Sequence, residues 1–183
     1  MTNEEILSLG MHGYFIRDAF LPMAQAEAAE EYASGMIGAL APAGIGRDGR
    51  RDTTVRGDLT AWLDDSPLHA PFSSLMEELN LGAWLGLRGF QVQLACYPGG
   101  GAHYDRHVDA HAGTELRRVT ALLYLNKGWR PDHGGQLRLH VDPPLDVPPE
   151  LNRLVVFLSE KVHHEVLPSF AQRLAVTAWY HAR

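Results

Sequence analysis

His107, Val108 and Asp109 set an imidazole and a carboxylate two positions apart. On a strand successive side chains alternate, so both groups would face one way and supply half of a metal site from one short piece of backbone. A second imidazole is available from His164, in a His-Glu-Val segment on another strand. Arg173 follows nine residues later and opens the run Arg-Leu-Ala-Val-Thr-Ala-Trp-Tyr. Two histidines and one carboxylate with open positions suit non-haem Fe(II), and an arginine suits an anionic co-substrate.

A His-X-Asp pair alone is a weak signal, and mutual consistency strengthens it. In the last run Arg173, Ala175, Thr177 and Trp179 share one face, with Leu174, Val176, Ala178 and Tyr180 on the other. A charge beside Trp179 and small residues describes the lining of a pocket. Tyr124, near the end of Val-Thr-Ala-Leu-Leu-Tyr-Leu, reads by itself as a core tyrosine with a satisfied hydroxyl. Gly99-Gly100-Gly101 reads as a turn, because no helix follows to make a phosphate loop. His103, His111, His133 and His140, in Gly-, Asp- or Pro-rich surroundings, are expected at the surface.

The elements that position these groups follow from pattern. Gly13 to Arg17 is a short strand, and Asp18 to Pro22 leads into a helix. Ala29, Ala33, Met36, Ile37 and Leu40 give that helix one apolar face. Residues 41–56 hold a proline, three glycines and four arginines without periodicity, which predicts a mobile loop or loose hairpin. Ser66 and Pro67 then cap and open a second helix with Leu68, Phe72, Leu75, Met76 and Leu79 on its apolar face. From Arg88 the pattern changes to strands, at Phe90 to Tyr97, Val119 to Asn126, Gln136 to Val141, Leu154 to Ser159 and Arg173 to His181. Helices followed by a run of strands predict an α+β fold, with helices covering one side of an antiparallel structure.

The chain's 183 residues suit one compact domain. A net charge of -6 argues against nucleic acid as the main partner, although Arg47, Arg50, Arg51 and Arg56 form a local basic cluster. Cys96 is the sole cysteine, so no disulfide closes within the chain. Glu4 and Glu5 stand where a secretory leader would be basic, and no apolar run reaches the length of a membrane span. The expected address is the cytoplasm.

Several segments occur in one order with short spacings: Ala95-Cys96-Tyr97-Pro98-Gly99, Tyr104 to Asp109, Tyr124-Leu125-Asn126-Lys127 with Trp129, Gly134-Gly135, His164-Glu165-Val166, and Arg173 to Tyr180. Together they closely resemble the catalytic domain of the hypoxia-inducible-factor type prolyl 4-hydroxylases, in particular bacterial relatives. These form a branch of the Fe(II)- and 2-oxoglutarate-dependent dioxygenases. The resemblance runs from about Gly13 to the end, and Arg56-Gly57-Asp58 with Trp62 also fits it. It implies a distorted double-stranded β-helix, a cupin-like jelly-roll barrel with N-terminal helices on its major sheet. It makes His107, Asp109 and His164 the iron ligands; His163 is set aside because only His164 is followed by Glu-Val. Arg173 is expected to pair with the distal carboxylate of 2-oxoglutarate, assisted by the hydroxyls of Tyr124 and Thr177. Tyr97 is expected beside the metal, with Leu137, Val166 and Trp179 as pocket walls. Arg56, Asp58 and Trp62, with the loop before them, are the expected contacts to a peptide.

The implied activity is hydroxylation of a prolyl residue at C4 in a protein or peptide, consuming O2 and 2-oxoglutarate and giving succinate and CO2. Ascorbate is implied as reductant. No nucleic acid, membrane or particular oligomeric state is implied. Gln93 departs from the pattern, lying on the face of Tyr97 where relatives often carry an apolar residue. The chain also stops at Arg183, where animal relatives continue into a helix. The other function classes are an oxygenase acting on a free amino acid or other small molecule, a nucleic-acid demethylase, which the acidic balance disfavours, and a non-catalytic sensing module.

Overall fold

The computed structural model of the chain describes residues 1–45, 49–64, 66–110 and 117–182. Among the described residues three α-helices, α1 (Asn3–His12), α2 (Met23–Gly35) and α3 (His69–Ala83), accompany eleven strands. The strands are β1 (Tyr14–Arg17), β2 (Ala41–Pro42), β3 (Leu59–Trp62), β4 (Gly89–Tyr97), β5 (Ala102–His107), β6 (Arg117–Tyr124), β7 (Leu137–Leu139), β8 (Leu145–Val147), β9 (Leu154–Leu158), β10 (His164–Ser169) and β11 (Arg173–His181). Seven of them form a major sheet in the order β1-β9-β6-β11-β4-β3-β2, and four form a minor sheet in the order β5-β10-β7-β8. Every pairing of strands is antiparallel.

The centre of the major sheet is buried on both faces, and β11 shows why its sequence alternates as it does. Leu174, Val176, Ala178 and Tyr180 face a core shared with the helices through Leu9, Ala26, Phe72, Leu75 and Leu79. The Tyr180 hydroxyl donates to the carbonyl of Phe72 at 2.9 Å, tying strand to helix. Ala175 faces the opposite way, into a second core between the sheets with Tyr97, Tyr124, Leu137 and Val166. The architecture is the expected one, with helices on one face of the major sheet and the minor sheet packed on the other. Among the described residues no helix is long and apolar enough to cross a membrane.

Several boundaries differ from expectation. The first helix, α1, was not anticipated. Thr2 and Glu5 close a capping box at its start and Gly13 ends it at φ 82°. Helix α2 begins at Met23, directly after the expected lead-in, but ends at Gly35, short of Leu40. Its buried face is made of Ala26, Ala29 and Ala33, while Ile37 lies in the 3₁₀ turn Ile37–Ala39 that follows. Ser66 and Pro67 form a turn ahead of α3: the Ser66 hydroxyl accepts from Leu68 N–H, and its carbonyl accepts from His69 N–H. Strand β6 stops at Tyr124, not Asn126, because the Asn126 side chain takes over the pairing. It accepts from Leu174 N–H at 2.6 Å and donates to Leu174 C=O at 3.0 Å.

Residues 41–56 are described except for 46–48. The start of this stretch pairs with β3, Ile45 bridges Arg50, and Arg56 bridges Tyr104 on β5. Arg47 lies outside the described residues.

Candidate metal and co-substrate site

His164 opens β10 and pairs across the minor sheet with His107, the last residue of β5. Their rings lie 4.3 Å apart. Asp109 lies two residues beyond the strand, so pleat alternation is not what brings it alongside His107. Instead the chain turns, and the carboxylate reaches across to the major sheet, where its Oδ2 accepts from Thr120 Oγ1 at 2.7 Å and Trp179 Nε1 at 3.0 Å. Thr120 is itself 2.9 Å from Ser159 Oγ, both buried.

The ligand atoms of His107, Asp109 and His164 lie within 4.8 Å of one another. His107 Nδ1 is 2.7 Å from Asp105 C=O, and His164 Nδ1 is 3.1 Å from Val162 C=O. A carbonyl only accepts, so each Nδ1 carries the proton and each Nε2 presents its lone pair toward the carboxylate. The Nε2 atoms sit 3.7 and 3.8 Å from Asp109. This donor set fits a divalent metal with positions left open. His163 is exposed and outside the cluster. His103, His133 and His140 are half-buried instead of superficial: His103 bridges the carbonyls of Gly101 and Thr54, and His140 faces Glu165. His111 lies outside the described residues.

Arg173, the first residue of β11, is 2% exposed. Register places it opposite Tyr97 on β4, and Ala175 opposite Tyr124 on β6, so both tyrosines flank the guanidinium. Arg173 Nη2 and the Tyr124 hydroxyl are buried without a hydrogen-bond partner. Burial pushes the Tyr124 phenol up to about 12; the neighbouring guanidinium tempers the rise but lies outside hydrogen-bond geometry. A buried cation and a buried donor with nothing to donate to are costly unless a ligand supplies the acceptor, and a carboxylate does so. Leu137 and Val166 pair across β7 and β10, both buried, and Thr177 is buried on the Arg173 face of β11. These residues fit 2-oxoglutarate as a metal chelator anchored at its far end.

At the rim Arg56 forms a bidentate pair with Asp58, at 2.8 and 2.6 Å, and Asp58 is 3% exposed. The Arg56 guanidinium also lies 4.2 Å from the ring centroid of Tyr104, which stacks on His107 at 3.8 Å. A bulge in β5 permits this stack, since the four residues from Tyr104 to His107 face the three from His164 to Val166. Trp62 is 49% exposed and meets Trp179 at 5.6 Å, while Arg117 covers Trp179 at 4.1 Å. Tyr104, Arg117, Thr120 and Ser159 were given no role by the sequence reading. The first carried a signal in its place just before His107; the others are long-range neighbours that spacing does not reveal.

Burial, with His164 close by, lowers the His107 pKa to about 4. The unfolded chain takes up this proton near pH 6.5, and the metal-free folded chain only near 4. Stability of the metal-free protein should therefore fall with decreasing pH across that window, by roughly 1.4 kcal/mol per pH unit from this residue. Urea titrations at pH 7, 6 and 5 on wild type and His107→Asn check it, and the variant should show a shallower slope. Burial opposes ionisation of Asp109, but the imidazoles, Thr120 and Trp179 outweigh it and hold the carboxyl below its usual range.

The fold and this constellation define a metal-dependent oxygenase of the jelly-roll type. Residues 92–181 match the family model described as the 2OG-Fe(II) oxygenase superfamily. A prolyl-4-hydroxylase structure from Pseudomonas putida superposes with a TM-score of 0.88 at 36% identity, covering 100% of both chains. A Trichoplax adhaerens prolyl hydroxylase in complex with a hypoxia inducible factor peptide gives a TM-score of 0.86 at 28% identity, covering 98% of this chain and 88% of that one. Human prolyl hydroxylase EGLN3 is 36% identical over 141 residues, 69% of this chain, and the match spans 59% of that relative's length. The chain belongs to the 2OG-Fe(II) oxygenase superfamily and is homologous to the hypoxia-inducible-factor prolyl hydroxylases.

Proposed function

We propose that the protein hydroxylates a prolyl residue of a protein or peptide at C4, using Fe(II), O2 and 2-oxoglutarate. The observation that carries this reading is the pair of unpartnered buried groups, Arg173 Nη2 and the Tyr124 hydroxyl, in a structure that also gathers His107, Asp109 and His164. The three ligand side chains would hold the metal. Arg173 and Tyr124, with Thr177, would take the distal carboxylate, and Tyr97, Leu137, Val166 and Trp179 would wall the cavity against water. When bound, the iron couples oxidative decarboxylation of 2-oxoglutarate, to succinate and CO2, with insertion of the second oxygen atom into a substrate C–H bond. Trp62 and Trp179 offer two aromatic faces for a prolyl ring at the mouth, and the Arg56–Asp58 pair stiffens the rim beneath it. Ascorbate as reductant and the cytoplasm as working compartment belong to the same proposal, the latter supported by the single, buried Cys96.

Mass spectrometry of lysate proteins incubated with enzyme, Fe(II) and 2-oxoglutarate tests it. One added oxygen atom on a proline is expected, absent without 2-oxoglutarate. Oxygen on free amino acids and none on protein would replace it with the small-molecule reading.

In this reading residues 41–56 act as a cover that orders over the peptide. Exchanging 43–54 for a short Gly-Ser linker spares the β2–β3 pairing and should lower peptide hydroxylation by tenfold or more, a rough magnitude for lost substrate positioning. Binding of 2-oxoglutarate should hardly change, because its contacts lie on the barrel strands. Normal peptide turnover after the exchange would remove the cover from the mechanism.

A further inference from the structure

Arg173 lies between two rings, its guanidinium carbon 4.8 Å from the centroid of Tyr97 and 5.0 Å from that of Tyr124. Its Nε donates to the carbonyl of Gly135 at 2.7 Å. Gly134 and Gly135 form a turn ahead of β7, with φ of 64° and 73°. The turn is stitched in place: Gly135 N–H donates to Pro168 C=O at 3.0 Å, and Trp129 Nε1 donates to Gly134 C=O at 2.9 Å. Neither glycine has room for a side chain. A Cβ on Gly135 would stand 2.9 Å from Arg173 Cδ and 2.8 Å from Ser169 Oγ, and one on Gly134 would run into the Pro168 carbonyl.

A guanidinium is planar, so fixing Nε on one carbonyl between two rings also fixes where Nη2 points. We propose that Gly135 is a positioning residue for the co-substrate. Its carbonyl and its missing side chain set the depth at which Arg173 meets a distal carboxylate, and so the length of 2-oxo diacid the cavity accepts. This rests on the reading of Arg173 as the anchor of 2-oxoglutarate. Gly135 touches no co-substrate itself; it acts through Arg173.

Gly135→Ala would press Arg173 Cδ away from the turn and toward the cavity, shortening it. On Mn(II)-loaded protein, calorimetry should show 2-oxoglutarate bound about tenfold or more weaker, a shift of the size produced by losing a group that only orients a binding side chain. The shorter diacid oxaloacetate should lose less, and Mn(II) affinity should stay as in wild type. In an Arg173→Lys background the same substitution should add little, because the two act as one unit. General loosening of the fold would instead weaken both diacids alike and in both backgrounds. Should Gly135→Ala not fold, the double variant with Ser169→Gly relieves the hydroxyl collision, keeps the one with Arg173, and carries the same test. Unchanged 2-oxoglutarate affinity, or equal losses persisting in the Arg173→Lys background, overturns the proposal while the anchor reading stands. Unchanged affinity in Arg173→Lys alone overturns both.

Discussion

Alanine at position 164 is expected to abolish metal binding and turnover, while alanine at position 163 leaves both nearly as in wild type. The two histidines are adjacent, yet only His164 belongs to β10 and turns into the site, while His163 lies just ahead of the strand. His164 is 4% exposed and its Nε2 stands 3.8 Å from Asp109; His163 is exposed, and its backbone carbonyl accepts from His140 N–H. Losing partners that only orient a ligand already costs metal affinity ten- to about a hundredfold, so losing one ligand of three should exceed that. His164 also packs on Phe157 with ring centroids 4.6 Å apart, so its truncation leaves a void beside the site as well as a missing ligand. Titration with Mn(II) or Co(II), which should bind without supporting turnover, separates metal loss from damaged chemistry. Metal retained in His164→Ala and lost in His163→Ala would reverse the assignment.

The pattern of residue types carried the frame of the protein well where burial imposes a strict period. Strand β11 was legible from its alternation because helices cover one face and the cavity occupies the other, so each position has one tolerable polarity. The same logic made α3 readable through Phe72, Leu75 and Leu79. It was less exact at α2: Ala29 and Ala33 do lie on the buried face, but Met36, Ile37 and Leu40 fall beyond the helix end at Gly35, since a face of small residues marks its own limits weakly. It failed at α1 for a different reason: the Thr2–Glu5 capping signal was present but no strong apolar stripe followed it.

The site was legible in its residue types and less so in how they are held. His107 and Asp109 do lie together, but through a turn after β5 and the donors Thr120 and Trp179, which come from strands separated by long stretches of chain. Tyr104 reaches His107 only because β5 bulges, and a bulge is a matter of pairing with β10 that one strand's sequence does not display. Arg56 and Asp58 were expected as substrate contacts through the family resemblance. In the structure each is the other's bidentate partner, an arrangement that supports the rim and leaves the Arg56 face on Tyr104.

Arg173→Lys and Tyr124→Phe should weaken 2-oxoglutarate binding in distinguishable ways. Lysine keeps the charge but loses the planar fork and the Nε contact to Gly135, so the change is not conservative here. A hydrogen bond to a charged group contributes about 1.5–3 kcal/mol, which predicts a Michaelis constant for 2-oxoglutarate raised by roughly ten- to a hundredfold, with metal content intact. Tyr124→Phe removes one neutral donor, so its effect on the constant should be smaller, about tenfold. Its effect on stability should carry the opposite sign. The Tyr124 hydroxyl is buried without a partner in the free protein, and deleting it removes a desolvated group that nothing satisfies. The ligand-free variant should therefore unfold at the same or higher urea than wild type, by up to about 1 kcal/mol. Saturating 2-oxoglutarate, with Mn(II) present, should restore the order, because only wild type then gains the phenol–carboxylate bond. A Tyr124→Phe protein that is less stable in both conditions would mean the hydroxyl already has a structural partner, and the cavity would lose one of its two anchors for the carboxylate.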